Sequence, residues 1–159
     1  MAWIDKTYLD NAIGTDQAQA LGLEDSLGAL TARFDQYELD GRSTVLSVLQ
    51  YAGYSGVNST LTDSDDTATV LNAFLKKLAF AILIQDAYSM LPGISMSQEL
   101  RQAVTSGLTM LEEVYQKRLP PPGMTPDTAN GYGGSQFNTS GQVIPQTVVV
   151  FRTLRGSTF

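Results

Sequence analysis

The chain has no cysteine and no histidine among its 159 residues. Without cysteine there can be no disulfide and no thiolate chemistry, and the redox compartment cannot be read. Without histidine the commonest general base and the commonest metal ligand are both missing. Charge is scarce: 16% of residues are Asp, Glu, Lys or Arg, against 43% hydrophobic. Much of the surface must therefore be Ser, Thr, Asn, Gln and Gly, and so thin a charge coat is tolerable on a surface that partners cover in part. Basic charge is the scarcer sign, giving a net charge of −6 and a sequence pI of about 4.4. That balance argues against binding nucleic acid through a broad basic face, which needs Lys and Arg to neutralise phosphates. Long apolar runs are missing too: the strongest, "LAFAILIQ" at residues 78–85, falls far short of the ~20 residues of a membrane span. The opening "MAWIDKTYLD" carries charges and no apolar signal-peptide core. The expectation is a soluble protein made in the cytoplasm, long enough to bury one core.

Familiar catalytic signatures are also missing. The sequence contains no GxxxxGK[ST], no GxSxG and no HExxH. "GYGGSQ", residues 131–136, looks like a phosphate-cradling glycine loop, but it neither follows a clear strand nor opens a helix, so it reads as linker. "DSDDTATV", residues 63–70, places Asp63 and Asp65 at the first and third positions of a calcium loop. Thr67 and Ala68 then occupy its fifth and sixth positions. The simpler reading is that Asp65 or Asp66 caps the helix that follows. Glu112 and Glu113, adjacent on a helix, point about 100° apart, a poor arrangement for a shared acid–base site. The reading is of a protein that is not an enzyme and takes no cofactor or metal.

What is present is mostly helix. "DKTYLDNAIG" offers Asp5 as N-cap, Tyr8, Leu9 and Ile13 at helical spacing and Gly14 as stop. "TDQAQALG" repeats the scheme with Thr15 or Asp16 as cap and Gly22 as stop. "EDSLGALTARFDQYELDG" keeps helical spacing at Leu27, Leu30 and Phe34, weakened by Gly28. "RSTVLSVLQYAGYSG" then restarts, with Ser43 as cap, a buried face of Val45, Leu46, Val48, Leu49 and Ala52, and Gly53 and Gly56 ending it. Residues 67–91 are the most strongly periodic: Val70, Leu71, Phe74, Leu75, Leu78, Ala81, Ile82 and Gln85 follow the i, i+3, i+4 rule. Ala79, Phe80, Leu83, Ile84 and Tyr88 carry apolar character round most of the circumference, which predicts a helix central in its domain or shared with another subunit. Lys76 and Lys77 form its solvated or interface-facing edge, and Pro92-Gly93 ends it. The last helix opens at Ser95 or Ser97, with Gln98 or Glu99 near the return position of a capping box. Leu100, Val104, Leu108, Leu111 and Tyr115 form its stripe, and "PPPG" at residues 120–123 stops it.

Beyond residue 119 the composition changes. Residues 1–119 carry 8 basic and 15 acidic residues, a net −7, whereas residues 120–159 carry Asp127, Arg152 and Arg155, a net +1. Residues 120–145 are rich in turn and linker residues without a period. "TVVVFRT" then forms a β-branched run of the kind found in fully paired strands. Val148, Val149, Val150 and Phe151 are four consecutive apolar residues that need burial on both faces, and a lone strand is not stable in water. Either the strand pairs with an overlooked strand or lies in a groove of its own domain, or the arm carries it to another subunit to extend a sheet edge. There Arg152 and Arg155 would meet an acidic neighbour such as another copy's body. The arm's composition favours the second alternative. The predicted architecture is mainly α: a helical bundle over residues 1–119, a Gly/Pro-rich arm over 120–145, and a docking strand over 146–159.

The opening "AWIDKTYLDNAIG", the central "TATVLNAFLKKLAFAILIQDAYSML" and the following "ELRQAVTSGLTMLEEVYQKRL" together resemble the head-to-tail connector proteins of tailed bacteriophages, the adaptor or head-completion proteins. The opening is similar to that family's "Y-I-t-x-x-dL-x-x-x-iG" start, and "LTMLEEVYQKRL" to its "Y-x-x-a-x-x-x-L-x-x-i-x-x-G-x-x-x-L" ending, although "QKRLPPP" replaces the usual Gly before the final Leu. The likeness extends over residues 1–119 and consists mostly of spaced apolar positions. It implies a virion protein at the head–tail interface, made in the host cytoplasm. Such proteins form a ring, commonly of twelve copies, beneath the portal protein, with the tail or the next connector below and DNA passing through the lumen without sequence-specific binding. An acidic lumen would let DNA slide without sticking. Subunit contacts through Val148, Val149, Val150, Phe151, Arg152 and Arg155 would lock such a ring. The competing reading, from the residues alone, is a non-viral helical interaction module that docks a partner through its C-terminal strand.

Overall fold

A computed structural model describes residues 2–54, 69–91 and 93–124. These are mainly helical, with five helices: α1 (Lys6–Ile13), α2 (Thr15–Ala20), α3 (Ala32–Ala52), α4 (Thr69–Ser89) and α5 (Gln98–Tyr115). Helix α4 packs against α3 on one side and α5 on another, and α3 also touches α5. Apolar side chains surround α4 as its sequence predicts: Leu75, Leu78, Ala79, Phe80, Ala81, Ile82, Leu83, Ile84, Ala87 and Tyr88 are all buried. One core joins them to Leu9, Phe34, Val45, Leu49, Val104 and Leu111. Val70, by contrast, lies at the start of α4 and is exposed.

Helix starts follow the expected chemistry at two points and depart from it at a third. The Asp5 carboxylate accepts the Tyr8 N–H at 2.7 Å, and the Ser97 hydroxyl accepts the Leu100 N–H at 3.2 Å. Ser97 rather than Ser95 is thus the cap, with Leu100 in the third helical position where a capping box would have Glu or Gln. Gly14, at φ +80°, ends α1 and is itself the N-cap of α2. Thr15 therefore lies inside α2, where its hydroxyl is 3.2 Å from an Asp10 carboxylate oxygen.

The region read as two broken segments differs most from expectation. Residues 24–30 form a tight loop, closed by an antiparallel bridge between Glu24 and Leu30. The Asp25 carboxylate accepts the N–H groups of Leu27 and Ala29 at 2.9 and 2.8 Å. This loop holds Leu27 at its tip, 92% exposed, rather than on a buried stripe. Thr31 then caps a single 21-residue helix through to Ala52. Ser43 is not a cap: it sits in mid-helix, where its carbonyl accepts the Ser47 hydroxyl at 2.8 Å. Gly41 also lies inside this helix. A Cβ there would lie 2.8 Å from the Ala79 carbonyl oxygen, so the glycine is what lets α3 approach the α4 backbone. Gly107 does the same for α5, since its Cβ would lie 2.5 Å from Ala81 Cβ.

Helix α5 ends in a Schellman turn, the Arg118 N–H bonding the Glu113 carbonyl at 2.8 Å and the Lys117 N–H the Val114 carbonyl at 3.0 Å. The left-handed position belongs to Lys117, at φ +60°, where glycine is usual. Lys117→Gly is expected to stabilise the protein by about 0.5–1 kcal/mol, relief of the left-handed strain outweighing the entropy glycine loses. A rise in the urea midpoint would show it, and an unchanged or lower midpoint would refute it. Packing continues past Leu119: Pro121 is buried and Met124 rests on the core.

Candidate interaction surface

The residues expected to make subunit contacts, Val148, Val149, Val150, Phe151, Arg152 and Arg155, lie outside the described residues, as do the "DSDD" and "GYGGSQ" stretches. Among the described residues there is no strand, only the isolated Glu24–Leu30 bridge. A segment docking on this part of another copy would thus meet helices and loops, not a sheet edge.

Charged side chains of the body form two groupings near the N-terminus, each around a buried glutamate. Lys6 Nζ lies 2.8 Å from Glu24 Oε1 and 2.9 Å from Asp10 Oδ2, and the Glu24 side chain is fully buried. The Glu24 and Asp10 contacts raise the Lys6 pKa, and the bond to Lys6 lowers that of Asp10. In the second grouping Glu38, buried on α3, accepts the backbone N–H of the fully buried Trp3 at 2.6 Å. Arg42 Nη2 is 3.8 Å from its other carboxylate oxygen. Both groupings tie the N-terminal segment and α1 to the rest of the molecule. Neither signal was local in sequence, because Glu24 and Glu38 gain their roles only from partners 18 and 35 residues away.

The outer surface presents a different set. Large apolar side chains stand exposed at Leu27, Val70 (66%), Met90 (67%), Leu39 (45%) and Tyr51. Tyr51 stacks on Tyr115 with ring centroids 4.7 Å apart, joining the last turns of α3 and α5. On α4, Lys77 does not reach only into solvent; its ammonium lies 3.3 Å from the Ser106 hydroxyl on α5. Asp86 is half-buried on α4, and burial, with the nearby Asp40 charge second, raises its pKa. Asp40, exposed on α3, accepts both bonds offered by the Gln36 amide, at 3.0 and 3.1 Å. Among the described residues, no Lys or Arg forms an ion pair with Asp40 or Asp86.

The Asp86 shift has a consequence for stability. The folded protein takes up this proton more readily than the unfolded chain, whose carboxyl keeps the usual value of 3.8. Stability therefore falls as pH rises from about 3.8 through the raised folded value, and the loss persists at neutral pH. Asp86→Asn is expected to raise the melting temperature at pH 7, with the gain shrinking as pH drops below 4. Thermal melts of both proteins across pH 3–7 test this, and an Asn variant that melts lower at pH 7 would refute it.

Among the described residues, no group of three or more Asp or Glu is placed to hold a metal ion, and no helix is long and apolar enough to cross a membrane. Compared with protein families, curated proteins and solved structures, the chain has no match.

Proposed function

We propose that this chain is a structural assembly protein, a head-to-tail connector of a tailed bacteriophage that forms a ring beneath the portal and links capsid to tail. The reading rests on the connector-like sequence of residues 1–119. The observation that carries it is a body built round the largely buried helix α4 that still leaves Leu27, Val70 and Met90 in water. Exposing large apolar side chains on a charge-poor body costs solubility, and covering them with neighbouring subunits removes that cost. The arm and C-terminal strand then lock adjacent copies or the portal, and the acidic character of the protein keeps DNA from adhering to the channel.

Cryo-electron microscopy of particles from the protein's source, or of the protein mixed with a candidate portal, tests the reading. A symmetric ring joined to the portal is the expected result. A monomer or dimer that binds one partner and never enters a ring would overturn it in favour of a helical docking module. Replacing lumen-facing acids with Lys is expected to slow DNA ejection, and unchanged ejection would remove the channel argument.

A further inference from the structure

The connector reading leaves open where the C-terminal segment lands, and the seam between α3 and α4 offers a surface that matches it. Helices α3 and α4 approach backbone to backbone where Gly41 meets Ala79. Asp40 flanks this crossing on α3, with Gln36 one turn earlier. On α4, Asp86 lies two turns beyond Ala79, and Met90 follows one turn later. The seam therefore displays two carboxylates without a basic partner among the described residues, with the exposed Met90 at its α4 end. Gln36 steadies the Asp40 carboxylate by donating to both its oxygens.

Three of the four basic side chains on the two helices are engaged in other directions. Arg33 packs over Gly22, Arg42 faces Glu38, and Lys77 faces Ser106. None of these three pairs with the seam carboxylates, so another copy can supply the cation. Residues 146–159 have the complementary composition: an apolar run from Val148 to Phe151, then Arg152, Leu154 and Arg155. Arginine is the residue suited to such a place, since its planar fork binds carboxylates in pairs and it sheds water more readily than lysine. The intervening residues 125–145 span about 70 Å when extended, enough to cross from one small body to the next.

We propose that the C-terminal segment of a neighbouring copy, residues 146–159, docks along the α3–α4 seam, with Arg152 and Arg155 on Asp40 and Asp86 and its apolar run against Met90. This deepens the connector reading and rests on it for the crossing between copies. It replaces sheet extension by docking into a helical groove, consistent with a body that has no strand among its described residues.

Charge exchange in the full chain tests the proposal. One variant carries Asp40→Arg with Asp86→Asn, and the other Arg152→Asp with Arg155→Asp; circular dichroism and thermal melts verify that each is folded. Sedimentation velocity at a series of concentrations and salt levels reads self-association. The wild type is expected to associate, and each variant alone to need at least tenfold higher concentration. The equimolar mixture should recover association, because each variant's tail then faces a complementary seam on the other. Added salt should weaken the wild-type contact. Met90→Ala is a second seam variant, made without any charge change, and is expected to weaken association several-fold. Variants that associate like the wild type would overturn this docking site while leaving the connector reading intact. A mixture that fails to recover would overturn docking between copies. A wild type that stays monomeric throughout would also count against the proposal, with the ring by microscopy deciding separately on the connector reading.

Discussion

Gly107→Ala and Gly41→Ala are each expected to destabilise the protein, although alanine is the better helix former at both sites. In an exposed helix the exchange gains about 1 kcal/mol. Here the new methyl carbon would stand 2.5 Å from Ala81 Cβ at position 107, and 2.8 Å from the Ala79 carbonyl oxygen at position 41. Neither neighbour can swing away: one is a methyl fixed to the helix, the other is backbone. Helix α5 or α3 must back off from α4, which costs about 1–3 kcal/mol in a well-packed core, occasionally more, and loosens contacts along the seam. Larger residues such as Gly107→Leu should exceed that range and approach loss of folding. A double-mutant cycle sharpens the test at position 107. Combining Gly107→Ala with Ala81→Gly removes the carbon that the new methyl meets, so the pair should be less destabilised than the sum of its members by about 1 kcal/mol or more. Urea unfolding of the four proteins measures this, and additivity would show that the close approach is not what these glycines provide. For Gly41 no such rescue exists, because the obstacle is a peptide carbonyl.

These two glycines also mark where sequence reading succeeded and where it stopped. Helix α4 was legible because its burial is written in its own period: a helix apolar nearly all round needs partners on several sides, and α3 and α5 supply two of them. The caps at Asp5 and Ser97 were legible because they depend on a residue three positions away. Helix α3 was read as two pieces because "LDGRS" imitates a glycine stop followed by a serine cap. The glycine is used instead for the crossing with α4, a requirement set by a residue 38 positions distant. Leu27 fits a helical stripe by spacing, but the Asp25 carboxylate draws the local N–H groups into a loop before a helix can form. The seam at Asp40 and Asp86 was beyond local reading for the same reason as Gly41: its members meet only once two helices have crossed. The tail's arginines and apolar run could be named from sequence, whereas the surface they fit could not.

Glu38→Ala is expected to cost about 2–3 kcal/mol, and Glu38→Gln about 1 kcal/mol. A hydrogen bond to a charged acceptor contributes roughly 1.5–3 kcal/mol when its loss leaves a buried donor. The donor here is the backbone N–H of Trp3, a residue 1% exposed, bonded to a carboxylate that is itself 3% exposed. Alanine removes the acceptor and leaves space where the side chain stood; glutamine keeps an oxygen in place and loses only the charge opposite Arg42. The ordering Ala worse than Gln separates this account from one in which the ion pair matters most, which would make the two variants alike, because exposed or half-formed pairs contribute little. Trp3 is the chain's single tryptophan, so its fluorescence reports on the N-terminal segment. If the bond anchors the N-terminal segment, Glu38→Ala should shift the emission to the red at urea concentrations where circular dichroism still shows intact helices. Coincident fluorescence and dichroism transitions would instead mean that Trp3 and Ile4 are held by core burial, with Glu38 only completing a segment already in place. The distinction reaches α1, whose Asp5 cap begins one residue after Ile4. A segment that detaches locally would release α1 and its Lys6 contacts to Glu24, whereas a cooperative one would keep the 24–30 loop and its exposed Leu27 fixed until the whole body unfolds.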